Sequence, residues 1–258
     1  MRARCNARDA SRLTLVSALA FVLLVSLATA TRVFAQAPAA GTITTASGAV
    51  QLQRGGNTVP AGSGTAVDAG DRVITGAGGH AVITLTDGSQ LELGESSNLV
   101  IDNQALAPAG GRAATQVSLF GGVLRSVVNA SGGAPNFEVH TPNAVAAVRG
   151  TRFDTAYTEG EARPTFSDCR KFTDVVVYEG VVNVRNPAAP NGMDVPAGYE
   201  ASVPCALSPM LPGPIGMTGA HAYTASVVGG VPPPGCPAMA ACPPPKPPPP
   251  PAPIPPPG

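Results

Sequence analysis

The strongest constraint on how this chain can fold is an alternation of apolar and polar residues that runs from Gly41 to Val203. Its period is two, and turns that contain glycine interrupt it at frequent intervals. A period of two is typical of strands with one buried face, whereas a helix needs a period near 3.6, which no long stretch of this region keeps. The alternation therefore predicts a single all-β domain of short strands, large enough to bury a core unaided.

One predicted hairpin joins Ala81–Leu85 to Leu91–Leu93. A two-residue loop would pair apolar with polar residues and mix the two faces. A three-residue loop, Thr86–Gly88, instead sets Ile83 opposite Leu91. Gly88 then takes the left-handed position that such loops prefer, so the register favours the three-residue loop.

A second and cleaner hairpin is predicted between Asp174–Tyr178 and Val181–Val184. A two-residue loop, Glu179–Gly180, would set Val177 opposite Val182 on one face, with Gly180 supplying a positive φ angle. Six further segments have the composition of strands. They are Gln116–Phe120, Val123–Val128, Asn136–His140, Val145–Arg149, Thr151–Tyr157 and Tyr199–Val203.

Residues 1–35 have the composition of a secretory signal peptide. Four arginines stand among residues 1–12, an apolar stretch runs from Leu13 to Ala30, and small residues lead to Ala35. This order of positive, apolar and small residues is typical of a cleaved leader. The alternative is an uncleaved membrane anchor, because an apolar run of about 18 residues lies at the lower limit for a spanning helix. A lipoprotein is not expected, since the cysteine-containing lipobox is absent.

Residues 204–258 are predicted to form a disordered, proline-rich tail. Val231–Gly258 contains 16 prolines in 28 positions. Proline has no N–H donor, so such a run favours polyproline II over strand or helix. We expect a spacer or stalk; the alternatives are a ligand for an aromatic groove and a wall-associated strut.

Cleavage of the leader would leave four cysteines: Cys169, Cys205, Cys236 and Cys242. An even number in an exported chain favours disulfides, and four cysteines allow three pairings. The spacing favours Cys169 with Cys205, which would tie the long segment Thr158–Thr173 to the last strand, and Cys236 with Cys242. A zinc site is the weaker alternative, since no Cys-x-x-Cys pair occurs.

The sequence predicts neither catalysis nor a cofactor. The motifs of serine hydrolases, zinc peptidases and phosphate-binding loops are absent. His80, His140 and His221 are isolated from one another, so no metal site is expected. The chain has 16 basic and 16 acidic residues, and this balance gives no basic patch for nucleic acid.

Several phrases resemble those of a known family when taken in order. They are Gly70–Gly76, Ala81–Leu85, Asp87–Ser89, Gly122–Leu124, Phe137–Pro142, Val148–Phe153, Val177–Val184 and Val195–Gly198. Together they resemble the FecR-like periplasmic domain over residues 41–203. The Val-Arg-Gly-Thr-x-Phe phrase at Val148–Phe153 is the most specific of them.

The resemblance implies an extracytoplasmic all-β domain whose short strands form a twisted, solenoid-like or jelly-roll-like arrangement. The family's namesakes are iron-siderophore signal transducers, which have a cytoplasmic anti-sigma segment, one membrane helix and this domain. Here only about 12 residues precede the apolar stretch, and a proline-rich tail follows the domain. We therefore expect a stand-alone exported form.

Three functions follow as expectations. The leading one is a non-enzymatic binding or scaffolding domain of the periplasm or cell envelope, with an envelope protein or a polysaccharide as its partner. The first alternative is a membrane-anchored sensor related to the iron-siderophore transducers, which would meet the membrane only through an uncleaved N-terminal segment. The second alternative is a wall-associated structural protein that uses the proline-rich tail.

Ten residues of the resembling phrases are expected to shape the domain, and no binding residue is predicted. Asp87 is expected to hydrogen-bond within its own turn, and Phe153 to lie in the core. Arg149–Thr151 is expected to shape a sheet corner, with a polar recognition spot as the alternative. The ten are Gly70, Asp71, Thr75, Asp87, Gly88, Arg149, Gly150, Thr151, Phe153 and Gly180.

Overall fold

The computed structural model describes residues 39–107, 111–130, 136–189 and 191–217. These residues form 17 strands and no helix, which confirms the all-β prediction. Within these ranges there is accordingly no helix able to cross a membrane. The predicted leader, His221, Cys236, Cys242 and the chain beyond Met217 lie outside the described residues.

The strands are short, with one exception of 16 residues. They are β1 Gly41–Ser47, β2 Val50–Arg54, β3 Asn57–Pro60, β4 Ala66–Val67, β5 Arg72–Thr75, β6 His80–Leu85, β7 Gln90–Leu93, β8 Asn98–Leu106, β9 Arg112–Val127, β10 Phe137–Thr141, β11 Ala144–Val148, β12 Arg152–Glu159, β13 Lys171–Glu179, β14 Val181–Arg185, β15 Met193–Pro196, β16 Tyr199–Pro204 and β17 Gly213–Pro214.

Two sheets share the long strand β9. Sheet A has the order β4-β1-β6-β7-β9-β12-β13-β16-β17. Sheet B has the order β3-β2-β5-β8-β9-β10-β11-β14-β15. All pairs are antiparallel except β9 with β10. Side chains from both sheets form one hydrophobic core, which includes Ile83 and Phe153 of sheet A and Leu99 and Phe137 of sheet B.

Strand β9 passes from one sheet to the other at Gly122. The residues before Gly122 pair with β8 in sheet B, and those after it pair with β7 and β12 in sheet A. Gly122 has a φ of +80°, and a Cβ there would lie 2.3 Å from Ser97 Oγ. Only glycine fits both the backbone angle and the close approach, so this position fixes the crossing.

After β9 the chain builds the sheets hairpin by hairpin. The pairs β10–β11 and β14–β15 join sheet B, and the pairs β12–β13 and β16–β17 join sheet A. Each new hairpin adds to the outside of the previous hairpin of its own sheet. This alternation between two layers is the solenoid-like feature that the resemblance implies.

The first predicted hairpin is confirmed in its register. Ile83 pairs with Leu91, and the Leu85 amide donates to the Ser89 carbonyl at 2.8 Å across the three-residue loop. Gly88 has a φ of +79°. The predicted segments Gln116–Phe120 and Val123–Val128 form the single strand β9, because Gly122 turns the strand without ending its ladder.

The second predicted hairpin is wrong. β13 pairs with β12 and β16 in sheet A, whereas β14 pairs with β11 and β15 in sheet B. Gly180, with a φ of +81°, therefore marks a corner between the layers and not a hairpin turn. Val177 and Val182 are both buried, but they belong to different sheets.

The described chain continues past Val203, the predicted end of the domain. Residues 205–217 follow the free side of β16, where the amides of Met210 and Ile215 donate to the carbonyls of Ser202 and Gly198. The β-domain thus extends at least to Met217. Three of the four edge strands, β3, β15 and β17, end in proline, which discourages pairing with another chain.

Candidate functional site

A buried arginine, Arg112, contacts two of the residues that the sequence singled out, Asp87 and Arg149. Arg112 has a side chain only 1% exposed and forms an ion pair with Asp87 at 2.7 Å. It also donates to Asn136 Oδ1 and to the carbonyls of Asn129 and Arg149. Asp87 in turn accepts from the Ser89 amide at 3.0 Å, so the predicted hydrogen bond within its own turn is present.

The Arg149–Thr151 corner packs against the same cluster. A Cβ on Gly150 would lie 2.7 Å from Ala130 Cα, and a Cβ on Gly180 would lie 2.6 Å from Thr151 Cγ2. The Thr151 carbonyl accepts from the Val128 amide, whereas its buried hydroxyl has no hydrogen-bond partner. These contacts show close packing at Gly150 and Thr151, while the Arg149 side chain is exposed.

The other singled-out residues lie elsewhere. Asp71 is buried and accepts two hydrogen bonds from Arg54, at 2.8 and 2.5 Å. Thr75 is buried and donates to the Gly94 carbonyl at 2.6 Å. Gly70 has a φ of +90° in an open turn, and Phe153 is fully buried in the core, as predicted. Asp71, Thr75 and Phe153 are thus buried in the domain.

One of the two predicted disulfides falls within the described residues and is formed. Cys169 and Cys205 are bonded, with 5.8 Å between their Cα atoms. The bond ties the loop that follows β12 to the end of β16. The zinc alternative is overturned for these two cysteines, because their sulfur atoms are bonded to each other.

The outward face of sheet A, called here the A-face, carries buried ion pairs. Glu92, Arg125 and Asp154 are cross-strand neighbours on β7, β9 and β12. Arg125 donates to both carboxylate oxygens of Asp154, at 2.8 and 2.9 Å, and Tyr178 donates its hydroxyl hydrogen to the same carboxylate at 2.8 Å. Asp154 is fully buried although it points away from the core.

A second buried pair lies on β13 of the same face. Arg163, from the loop after β12, donates to both oxygens of Asp174 and stacks over the Phe172 ring at 4.0 Å. Ser202 also donates to Asp174. The same loop places Phe166 against Phe172, with 6.2 Å between the ring centroids. The loop therefore covers this part of the A-face.

Burial changes the pKa values of Asp154, Asp174 and Tyr178. Loss of solvent raises the pKa of Asp154, and the hydrogen bonds and charge of Arg125 oppose that rise. Loss of solvent likewise raises the pKa of Asp174 against the opposing effect of Arg163. The pKa of Tyr178 rises because its ring is buried and the Asp154 charge is close.

The outward face of sheet B, called here the B-face, is different in character. Its polar side chains alternate with core residues along β8, β9, β10 and β14, and most are half-exposed or fully exposed. His140 contacts Glu138 at 2.6 Å between Nε2 and Oε2, and Arg185 lies 3.7 Å from the same carboxylate. Ser118 donates to Asp102, and Asn183 donates to Asp194.

An exposed aromatic ring stands on the same face. Phe120 is 47% exposed at the end of the sheet B part of β9. The guanidinium of Arg72 lies over its ring, 5.0 Å from the centroid, and donates to Asn98 Oδ1 at 2.8 Å. The ring is therefore held on one side by a side chain that is itself anchored.

Neither histidine of the described residues takes part in a metal cluster. His80 contacts Glu92 at 2.9 Å, as His140 contacts Glu138. In the ranges that the structure describes, no three His, Cys, Asp or Glu side chains are grouped to hold a metal.

Comparison with known proteins identifies the middle of the chain. The model of the family described as FecR protein matches residues 71–183. The chain carries a FecR domain. The FecR match runs from the turn before β5 to β14, and it includes the Arg112 cluster and the covered part of the A-face.

Other comparisons add little to the FecR match. No curated protein is similar enough to this sequence to count as a match. Two crystal structures of a candidate anti-sigma factor from Parabacteroides distasonis ATCC 8503 are 22% identical to it, with TM-scores of 0.44 and 0.42. Each alignment covers 55% of this chain and 59% of that one, so less than two thirds of that protein is spanned.

Proposed function

We propose that this FecR-domain protein is a non-enzymatic binding or scaffolding module of the cell envelope, and that it contacts its partner through the B-face. The B-face supports this proposal because its paired charged side chains stay partly open to solvent, whereas Asp154 and Asp174 of the A-face are fully buried in their pairs. An exposed, polar and rigid sheet surface offers hydrogen-bond partners without an ordering penalty. The partner is an envelope protein or a polysaccharide.

Two exposed ion pairs allow a matched test. Glu138 and Arg185 lie 3.7 Å apart on the B-face, and Glu159 and Lys171 lie 3.2 Å apart at the ends of β12 and β13 in sheet A. Each pair joins one acid to one base, and removal of either leaves the net charge unchanged. The purified protein would be tested for co-sedimentation with isolated peptidoglycan sacculi and for binding to immobilised envelope protein extract.

The proposal expects the double variant Glu138→Ala/Arg185→Ala to lose binding to at least one of these probes. The double variant Glu159→Ala/Lys171→Ala should bind as the unchanged protein does. Equal binding by the two variants, or no binding of the unchanged protein to either probe, would contradict the proposal.

A membrane-anchored sensor is the second candidate, and the FecR match is the observation that favours it. It requires that the apolar N-terminal segment stay attached. The intact mass of protein recovered from the envelope fraction distinguishes the two candidates. A chain that begins near Gln36 supports the exported module, and a chain that retains Met1 supports the anchored sensor.

A further inference from the structure

The B-face combines three features: a fixed aromatic ring, a surrounding set of polar side chains and a balance of charge. From this combination we infer that it binds an uncharged polysaccharide, with Phe120 as the stacking platform. The inference rests on the proposed function, since it assigns a ligand class to the same face.

Phe120 has the exposure and rigidity of a contact residue. Nearly half of its surface is open to solvent although it stands on a sheet and not on a loop. Arg72 occupies one side of the ring, and its hydrogen bond to Asn98 fixes it there. The rest of the ring remains free to meet the apolar C–H face of a sugar, and little side-chain entropy is lost on binding because the ring is already held.

The polar side chains around the ring suit hydroxyl groups. Asn98 and Ser118 lie on β8 and β9 beside Phe120, and His140 is the cross-strand neighbour of Ser118 on β10. These side chains offer both donors and acceptors. Sugar hydroxyls need both, whereas a peptide would first need an unpaired strand edge or an apolar pocket for its side chains.

The charges of the face point to an uncharged ligand. Each charged side chain described on the B-face already has an opposite charge or a polar partner. The partnerships are His140 and Arg185 with Glu138, Arg72 with Asn98, Asp102 with Ser118, and Asp194 with Asn183. Arg72 and Arg185 stand against Asp102, Glu138 and Asp194, so these side chains leave a net charge of only −1, too small to select a strongly charged polymer.

The test uses the full-length protein on an array of uncharged and charged oligosaccharides, followed by calorimetry with the best uncharged one. The variants are Phe120→Ala, Phe120→Trp and the control Leu106→Ala, since Leu106 is 48% exposed and lies at the far end of β8. Equal unfolding midpoints for the three variants would show that the fold is intact.

The inference predicts binding to uncharged oligosaccharides with an affinity that salt does not change. Phe120→Ala should weaken that binding by roughly 30-fold, the effect of losing a central aromatic contact, while Phe120→Trp and Leu106→Ala keep it. Binding to charged sugars alone, or binding that Phe120→Ala leaves unchanged, would overturn the inference. If the array shows no sugar binding but envelope protein still binds through Glu138 and Arg185, the inference fails and the proposed function stands.

Discussion

The two outward faces of the domain show how similar residues reach opposite outcomes. The A-face has Arg125 on Asp154 and Arg163 on Asp174, and both aspartates are fully buried. The B-face has Arg185 near Glu138, and both side chains keep more than a third of their surface exposed. On β13 a loop held by a disulfide covers Asp174, and on β12 Arg125 and Tyr178 enclose Asp154.

The comparison teaches that charge on a strand does not by itself identify a binding face. A buried pair is committed to the fold, because removal of one partner leaves an uncompensated charge in a medium of low dielectric constant. An exposed pair contributes little to stability, so its side chains remain available to a partner. The predictions below test this contrast, beginning with the largest effect.

Removal of a buried aspartate should have the largest effect. We expect Asp154→Ala to lower the free energy of unfolding by about 3–5 kcal/mol, because Arg125 and Tyr178 lose their common partner. Urea denaturation measures this loss. As a control, the double variant Arg125→Met/Asp154→Leu should recover most of it, since no charge is then left buried. A loss below about 1 kcal/mol for Asp154→Ala would mean that the buried pair of the A-face contributes no more to stability than an exposed pair does.

Loss of the described disulfide should have the next largest effect. Cys169 and Cys205 are 36 positions apart, and we expect Cys169→Ser/Cys205→Ser to lower stability by about 3–4 kcal/mol. Release of the loop should also raise the hydrogen-exchange rates of β13 amides above those of β10 amides. Cys236→Ser/Cys242→Ser serves as the matched control and should leave β13 unchanged. If hydrogen exchange in β13 stays unchanged when the Cys169–Cys205 bond is lost, the disulfide is not what holds the loop over the A-face.

The buried carboxylates should give the A-face an unusual dependence on pH. Burial raises the pKa of Asp174 above 3.8, so the folded protein takes up this proton at a higher pH than the unfolded chain does. The contribution of Asp174 to stability is therefore largest below about pH 4, and it declines as pH rises through the raised pKa of the folded state.

The variant Asp174→Asn lacks this titration and supplies the test. We expect the unfolding free energy of the unchanged protein, relative to Asp174→Asn, to fall as pH rises above about 4, because burial raises the pKa of Asp174 in the folded protein. Urea denaturation at several pH values measures the difference. A difference that grows with pH would show that the pair with Arg163 outweighs the loss of solvent.

Changes on the B-face should alter stability least. We expect Glu138→Ala to change the free energy of unfolding by less than about 1 kcal/mol, because the carboxylate is well exposed and its ion pairs are screened. Thermal denaturation beside Asp154→Ala gives the direct comparison. A loss as large as that of Asp154→Ala would mean that the B-face also serves the fold.

The alternation of the sequence predicted much of the fold because it depends on local pattern. The β class, the Thr86–Gly88 loop and the core position of Phe153 all follow from period, turn chemistry and register. The Glu179–Gly180 turn was predicted wrongly because that prediction also used local pattern alone. A left-handed glycine fits both a hairpin and a corner between layers, and only the distant partners of β13 and β14 decide which one forms.

The ion pairs of the A-face could not be predicted from the pattern alone. Arg125, Asp154 and Asp174 stand at the polar positions of the alternation, which normally face solvent. The burial of Asp174 involves Arg163 and Phe166, which reach β13 from a loop, whereas Asp154 is paired with Arg125 and Tyr178. One local signal existed: the continuous apolar run Val175–Val177 is typical of a strand buried on both faces.

Chemical labelling of carboxylates with carbodiimide, in free protein and in protein bound to isolated envelopes, tests the central claim most directly. The free protein should label at Glu138, Asp194, Glu159 and Glu179 but not at Asp154. Binding should then protect Glu138 and Asp194 on the B-face and leave Glu159 and Glu179 labelled. Labelling of Asp154 in free protein, or protection of Glu159 and Glu179 instead of Glu138, would contradict the account.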